Sequence, residues 1–234
     1  MERRQEVRNG LKDGIAIGMG YFSVSFAFGM QAVSVGISPW IAALMSLTNM
    51  TSAGQFASLP LIVQNGSLIE LALTQLVINL RYALMSLSLS QKLDHEVTIK
   101  DRLIIAFANT DEIFASASAR PGKNTKYYQF ALMVLPIIMW TLGTLCGGFI
   151  NTLLPESLRS ALGIAIYGMF LAIFIPPAKK RQEVRMVVLF AVLLSCLFHW
   201  MPGLDQISSG FVIIICTLLA AGMGACLFPI KEEC

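Results

Sequence analysis

Eight apolar runs separated by short polar turns dominate this chain, and no other feature limits its fold so tightly. They occupy residues 14–35, 39–63, 68–90, 103–119, 127–154, 161–175, 186–200 and 210–229. A bilayer-spanning helix needs about 20 consecutive apolar residues, with a range near 17–25. Hydrocarbon offers no hydrogen-bonding partner, so backbone that crosses it must satisfy itself as helix. Charged residues make up only 13% of the chain, about half the share in soluble domains. The expected fold is therefore a single all-α integral membrane domain, 1–234, of about eight transmembrane helices, with seven as the alternative.

Several function classes fall away on composition and motif. A net charge of +3 is too small to imply nucleic acid, and the basic residues sit in loops, where they report membrane orientation. No Gly-x-x-x-x-Gly-Lys-Ser/Thr phosphate loop, Gly-x-Ser-x-Gly elbow or His-Glu-x-x-His zinc motif occurs, so an enzyme is not expected. His95 lies in a charged loop and His199 at the end of an apolar run, far apart in the sequence and outside any metal-ligand spacing, so neither a metal nor a cofactor is expected. Four of the five cysteines lie in apolar runs and read as small buried hydrophobes. The first 13 residues are polar and the run after them is too long for a signal-peptide core, so that span is expected to be retained.

Lysine and arginine counts set the orientation. If all eight runs cross from an inside N-terminus, twelve basic residues fall inside and four outside, so both termini are expected in the cytoplasm. Lys92, Lys100 and Arg102 are the exception on the outer side. They fit if 103–119 is not a simple crossing, and that short run reads equally as a span, a broken span or a re-entrant piece. A shift of 114 positions superimposes Gly29 on Gly143 and Gly54 on Gly168. It suggests two structural repeats, 9–119 and 127–230, with broken helices at the midplane.

Besides Glu70 near the start of the third run, three charges sit deeper within the apolar runs: Arg81 in the third, and Asp111 and Glu112 in the fourth. Each costs roughly 2.5–3.5 kcal/mol near the midplane, so each must face protein or a wet cavity. Glu70, Thr74 and Arg81 share one helical face, and Gln75, Asn79, Tyr82 and Ser86 a second. Glu70 stands about three turns from Arg81, some 16 Å, so Arg81 is expected to pair with Asp111 or Glu112. Two roles are open to that pair: a structural tie between segments, or the border of a substrate or proton site. Because one arginine cannot fully compensate two adjacent acids, one of them is the candidate proton carrier. Asp111 is chosen, since alanines line its face, whereas Glu112 shares a face with Asn109 and Ser116.

Asn49-Met50-Thr51-Ser52-Ala53-Gly54-Gln55 suits either a helix that breaks and offers backbone groups to a ligand or plain helix packing. Gly14-x-x-x-Gly18 and Gly143-x-x-x-Gly147 read as close-packing faces.

Four strings occur in order at matching intervals: Phe26-Ala27-Phe28-Gly29, Ala53-Gly54-Gln55-Phe56-Ala57, Asn79-Leu80-Arg81-Tyr82-x-Leu84-Met85 and Thr110-Asp111-Glu112-x-Phe114. Together they resemble the signatures of the AzlC family, large subunits of two-component branched-chain amino-acid exporters. The resemblance runs from about Asn9 to Phe228. It departs from many relatives at Ser23, where they carry proline, and around Ala42, where they carry an acid. It implies secondary export of branched-chain and related apolar amino acids across a bacterial inner membrane. It also implies a small hydrophobic partner subunit of the AzlD type. The substrate-binding residues expected on this basis are Gly29, Gly54, Gln55, Asn79, Arg81, Asn109, Thr110 and Glu112.

Overall fold

A computed structural model describes residues 2–155, 157, 171, 175–204 and 206–229. Most of the sixth apolar run, 161–175, and Cys234 lie outside the described residues, as does part of the second expected repeat. All assigned elements are helices: α1 (Glu2–Ser34), α2 (Pro39–Thr48), α3 (Ser52–Val63), α4 (Leu68–Lys92), α5 (Ile99–Phe107), α6 (Asp111–Ala119), α7 (Lys126–Leu153), α8 (Gln182–Trp200) and α9 (Ser209–Leu227). Among the described residues, five (most of α1, and α4, α7, α8 and α9) are long and apolar enough to cross a membrane. The chain divides into two compact units, one of Met1–Phe56 with Asn79–Arg159, the other of Ala57–Ile78 with Ser160–Cys234.

The first unit is built on α1 against α7, and glycine decides how closely they approach. A β-carbon on Gly14 would stand 2.6 Å from the Leu132 carbonyl oxygen, and one on Gly143 would stand 2.5 Å from that of Phe22. Gly29 and Gly147 are tighter still, against the Thr144 and Phe26 carbonyls. Both expected glycine faces are therefore packing faces, one on each helix of the pair. Tyr21, Tyr128, Leu132, Met133 and Trp140 carry the core onward to Ile105 and Ile113 of α5 and α6.

One end of this unit gathers the start of α1 and two loops. Arg120 donates to Glu6 through two nitrogens, one at 2.8 Å, while Thr125 donates to Glu6 at 2.8 Å. The bond to Glu6 raises the Arg120 pKa above its ordinary value, and the guanidinium lies 4.1 Å from the centre of the Tyr128 ring. Glu6→Gln breaks this two-pronged bond between partners that are each under a quarter exposed. It is expected to cost about 1.5–3 kcal/mol and to lower the unfolding midpoint in detergent, followed by tryptophan fluorescence. An unchanged midpoint would remove the tie from the account of stability.

The same end settles the fourth apolar run. The Asn124 N–H donates to the Lys92 carbonyl at 2.9 Å, and the Asp94 N–H to the Asn124 carbonyl at 2.9 Å. Lys123 Nζ donates to the Gln91 carbonyl at 2.6 Å. The loop before α5 and the loop after α6 are thus bonded together, so 103–119 enters and returns to the same end. At nine residues each, α5 and α6 reach about 13 Å, less than half the roughly 30 Å hydrocarbon thickness. Lys92, Lys100 and Arg102 then lie with the N-terminus, which removes the exception in the basic-residue distribution. A capping box starts α5: Thr98 accepts from the Asp101 N–H, and Asp101 accepts from the Thr98 N–H and hydroxyl. These bonds hold the Asp101 carboxyl below the usual carboxylate range.

In the second unit α8 has no buried residue, and α9 starts against Glu70 and Thr74 of α4. The cysteine expectation needs correction. Cys146 and Cys226 are exposed and Cys196 and Cys216 half-buried, all on helices long and apolar enough to cross a membrane.

Candidate functional site

Two helix breaks form the centre of the first unit. The first is Asn49-Met50-Thr51, between α2 and α3. Asn49 takes an extended conformation (φ −146°, ψ 107°), and its Oδ1 accepts from the Thr51 N–H at 3.2 Å. The Thr51 hydroxyl then accepts from the Gly54 N–H at 3.2 Å, which caps α3. A side chain that offers the backbone a local alternative partner is how Asn and Thr interrupt a helix. The second break is Ala108-Asn109-Thr110, between α5 and α6, where Thr110 is extended (φ −77°, ψ 170°). Its hydroxyl does not cap α6; it bonds the Tyr21 hydroxyl instead.

The breaks approach from opposite ends. α2 begins at the C-terminal end of α7, with the Trp40 and Phe149 rings 5.4 Å apart, whereas α5 begins at the N-terminal end, as described above. α4 holds both tips. Asn79 Oδ1 accepts from the Thr51 hydroxyl at 2.7 Å, and Ser86 Oγ accepts from Asn109 Nδ2 at 3.0 Å. Residues 79 and 86 are seven apart, two turns on one face. The expected polar face of Asn79, Tyr82 and Ser86 is thus the one turned to the breaks.

Between the tips lies a cavity of about 180 Å³. Asn49, Met50 and Thr51 line it from the first break, and Asn79 and Tyr82 from α4. Ala106, Phe107, Asn109 and Thr110 line it from the second. Its polar groups are amides and hydroxyls, its apolar ones Met50, Ala106 and Phe107, and among the described residues no charged side chain lines it. Asn109 is 3% exposed, and its Oδ1 has no hydrogen-bond partner.

The three intramembrane charges are partnered beside this cavity. Arg81 Nη2 lies 2.9 Å from Asp111 Oδ2, and its guanidinium lies 5.1 Å from the centre of the Tyr82 ring. Glu112 Oε2 accepts from the Tyr21 hydroxyl at 2.6 Å. The expected ion pair therefore forms with Asp111, while Glu112 is held by a tyrosine that the sequence reading passed over. Tyr21 sits in a chargeless run 91 positions before Glu112, and no local pattern marks it.

The remaining expected residues sit apart from the cavity wall. Gly29 faces α7, as described above. Gly54 lies within the first turn of α3. Gln55 is 1% exposed and belongs to a closed ring of donors. Trp140 Nε1 donates to Gln55 Oε1 at 3.0 Å, and Gln55 Nε2 to Ser46 Oγ at 2.9 Å. Ser46 and Thr144 share a bond of 2.6 Å, and Thr144 donates to the Trp140 carbonyl at 3.1 Å. The ring fixes α2 and the start of α3 on α7, and so fixes the first break.

The second unit adds an acid that the sequence reading did not place deep. Glu70 is 5% exposed, and its Oε1 accepts from the Ser208 hydroxyl and, at 3.0 Å, from the Gly210 N–H. A carboxylate at a helix N-terminus satisfies orphan N–H groups and complements the helix dipole. The available signal was Ser208-Ser209-Gly210 opening an apolar run.

Comparison with known proteins places the chain among membrane proteins. The family described as "AzlC protein" matches residues 16–154, which contain both breaks and all three intramembrane charges. The inner membrane protein YgaZ of Escherichia coli K12 is 27% identical over 181 residues, 74% of each chain. An uncharacterized membrane protein of Archaeoglobus fulgidus is 32% identical over 177 residues, 75% of this chain and 77% of its own. One of Helicobacter pylori strain 26695 is 27% identical over 191 residues, 79% and 82% of the respective chains. No solved structure matches. The breaks, the charges and the matched span lead to one assignment: this chain is a membrane protein of the AzlC family.

Proposed function

We propose that the protein is a secondary transporter that exports branched-chain and related apolar amino acids across a bacterial inner membrane. The carrying observation is the cavity between the two breaks, which joins neutral amides and hydroxyls to the apolar surface of Met50, Ala106 and Phe107. An apolar amino acid has those two halves. Half-helix ends add to the polar half: N-terminal N–H groups favour a carboxylate and C-terminal carbonyls an ammonium. Asn79, Asn109 and Thr110 act at the wall, and Gly54 and Gln55 hold the first tip. Arg81, Asp111 and Glu112 set the field from beside it. The end that carries the basic loops faces the cytoplasm by the positive-inside rule.

Asp111 is the proton-coupling residue in this reading. It opens the helix whose preceding residue, Thr110, lines the cavity. Its protonation on one side of the membrane and deprotonation on the other couple proton entry to substrate exit, while the substrate contacts themselves lie on the cavity wall. The partner is a small hydrophobic subunit of the AzlD type, inferred from the family resemblance.

The test is efflux of labelled leucine preloaded into proteoliposomes, with and without the small subunit. Efflux with the pair, trans-stimulated by external leucine, and at least about tenfold slower with this chain alone is the expected result. A channel gives no trans-stimulation, and robust efflux from this chain alone would overturn the two-component reading.

A further inference from the structure

A second, smaller space lies in the seam between α4 and α5. Its volume is about 30 Å³, room for about one water. Leu89 and Ser90 wall it from α4, and Arg102 and Ile105 from α5. Ala106 and Asn109 belong both to its wall and to that of the larger cavity. The small space therefore leads from the cavity toward the start of α5, the end that gathers the N-terminus and the basic loops.

Among the described residues, Arg102 is the one charged side chain in that wall. Its Nη1 donates to the Ser90 carbonyl at 3.1 Å and to the Ser90 hydroxyl. Its Nε and Nη2 donate to no acceptor among the described residues, and no acid among them pairs with it. The neighbouring Asp101 is taken up by Thr98 in the cap of α5. Nε and Nη2 form the edge of a guanidinium that grips a carboxylate through two parallel N–H···O bonds. Arg102 is half-buried, so a solute can reach that edge. Beside it Leu89 and Ile105, 2% and 3% exposed, add apolar surface. A cation with its carboxylate-binding edge open, next to apolar side chains, fits the acid end of an apolar amino acid. We infer that Arg102 receives the carboxylate of the solute at the cytoplasmic mouth of the cavity, before the solute enters the cavity itself. This rests on the transport reading above and deepens it, by giving entry a site of its own.

The experiment is uptake of labelled leucine into inverted membrane vesicles, whose cytoplasmic face is outward, holding the chain with its small subunit. Leucinol, which keeps the ammonium and lacks the carboxylate, is the unlabelled competitor. Arg102→Gln can still donate to Ser90 but carries no charge. It is expected to raise the half-saturating leucine concentration about tenfold, the worth of a charge-assisted hydrogen bond, and to leave the inhibition constant of leucinol unchanged. Arg102→Lys keeps the charge and loses the two-pronged edge, so the leucine value is expected to rise by a few-fold only. In right-side-out vesicles, which present the other face, neither variant is expected to change the half-saturating leucine concentration.

An unchanged leucine value at the cytoplasmic face in both variants overturns the assignment while the transport reading stands. So does a parallel loss for leucine and leucinol, because Arg102 would then serve only to cap α4 or to hold a lipid headgroup. So does an equal shift at both faces. Should Arg102→Gln fail to reach the membrane, Arg102→Lys decides alone, since a leucine value like the wild type's overturns the assignment. If the wild-type pair takes up no leucine, the transport reading itself fails and this assignment falls with it.

Discussion

Gly29→Val is expected to leave almost no monodisperse protein after detergent extraction. The added β-carbon would fall inside contact distance of the Thr144 carbonyl and close to the Gly148 amide nitrogen, both backbone atoms of α7. Backbone cannot change rotamer to make room, so α1 and α7 must separate along their whole contact. Overpacking a core commonly costs 1–3 kcal/mol, and here about 3 kcal/mol or more is expected, since the loss spreads to the ring of donors that starts from Trp140. Gly20→Val on the same helix is the control, because nothing lies within 4 Å of the added atom. Size-exclusion profiles and unfolding midpoints compare the two. Equal behaviour would show that the α1–α7 approach is not what limits folding.

Asp111→Asn is expected to abolish uphill leucine efflux driven by a pH gradient while preserving leucine exchange at equal concentrations. The substitution keeps size and hydrogen bonding but cannot carry a proton. The variant leaves Arg81 without its charged partner, so its size-exclusion profile in detergent is compared with that of the wild type before transport is measured. The measurement is the steady-state accumulation ratio beside the exchange rate in the same vesicles. A ratio still above one, or a parallel loss of both activities, would sink Asp111 as the coupling acid.

Much of this arrangement was legible in the residues, and the illegible parts share a cause. Gly14, Gly18, Gly143 and Gly147 announced close packing because a four-residue spacing of missing side chains has few other uses in a spanning helix. Asn79, Tyr82 and Ser86 announced an inward polar face for the same helical reason. Arg81 needed an acid, and the few available in apolar surroundings narrowed the choice. The course of 103–119 was not legible: hydropathy reports the surroundings of a segment, and a hairpin that returns has the same surroundings as a helix that crosses. Tyr21 was missed because its partners are distant in sequence, and Glu70 because its partner is a helix end rather than a cation. Gly29 was read as a ligand-facing glycine, yet its missing side chain serves the helix beside it.

The way α4 holds both helix tips has a mechanical consequence. Asn79 and Ser86 lie about 10 Å apart along one rod, and each adds a neutral hydrogen bond to one tip, beside the donor ring at the first and the Arg81–Asp111 pair at the second. Such a bond is worth only about 0.5–1.5 kcal/mol, so thermal motion suffices to open either one while the other contacts of its tip persist. Unfastening both at once multiplies two small probabilities. Two such bonds on one bar are thus open together less often than either is open by itself.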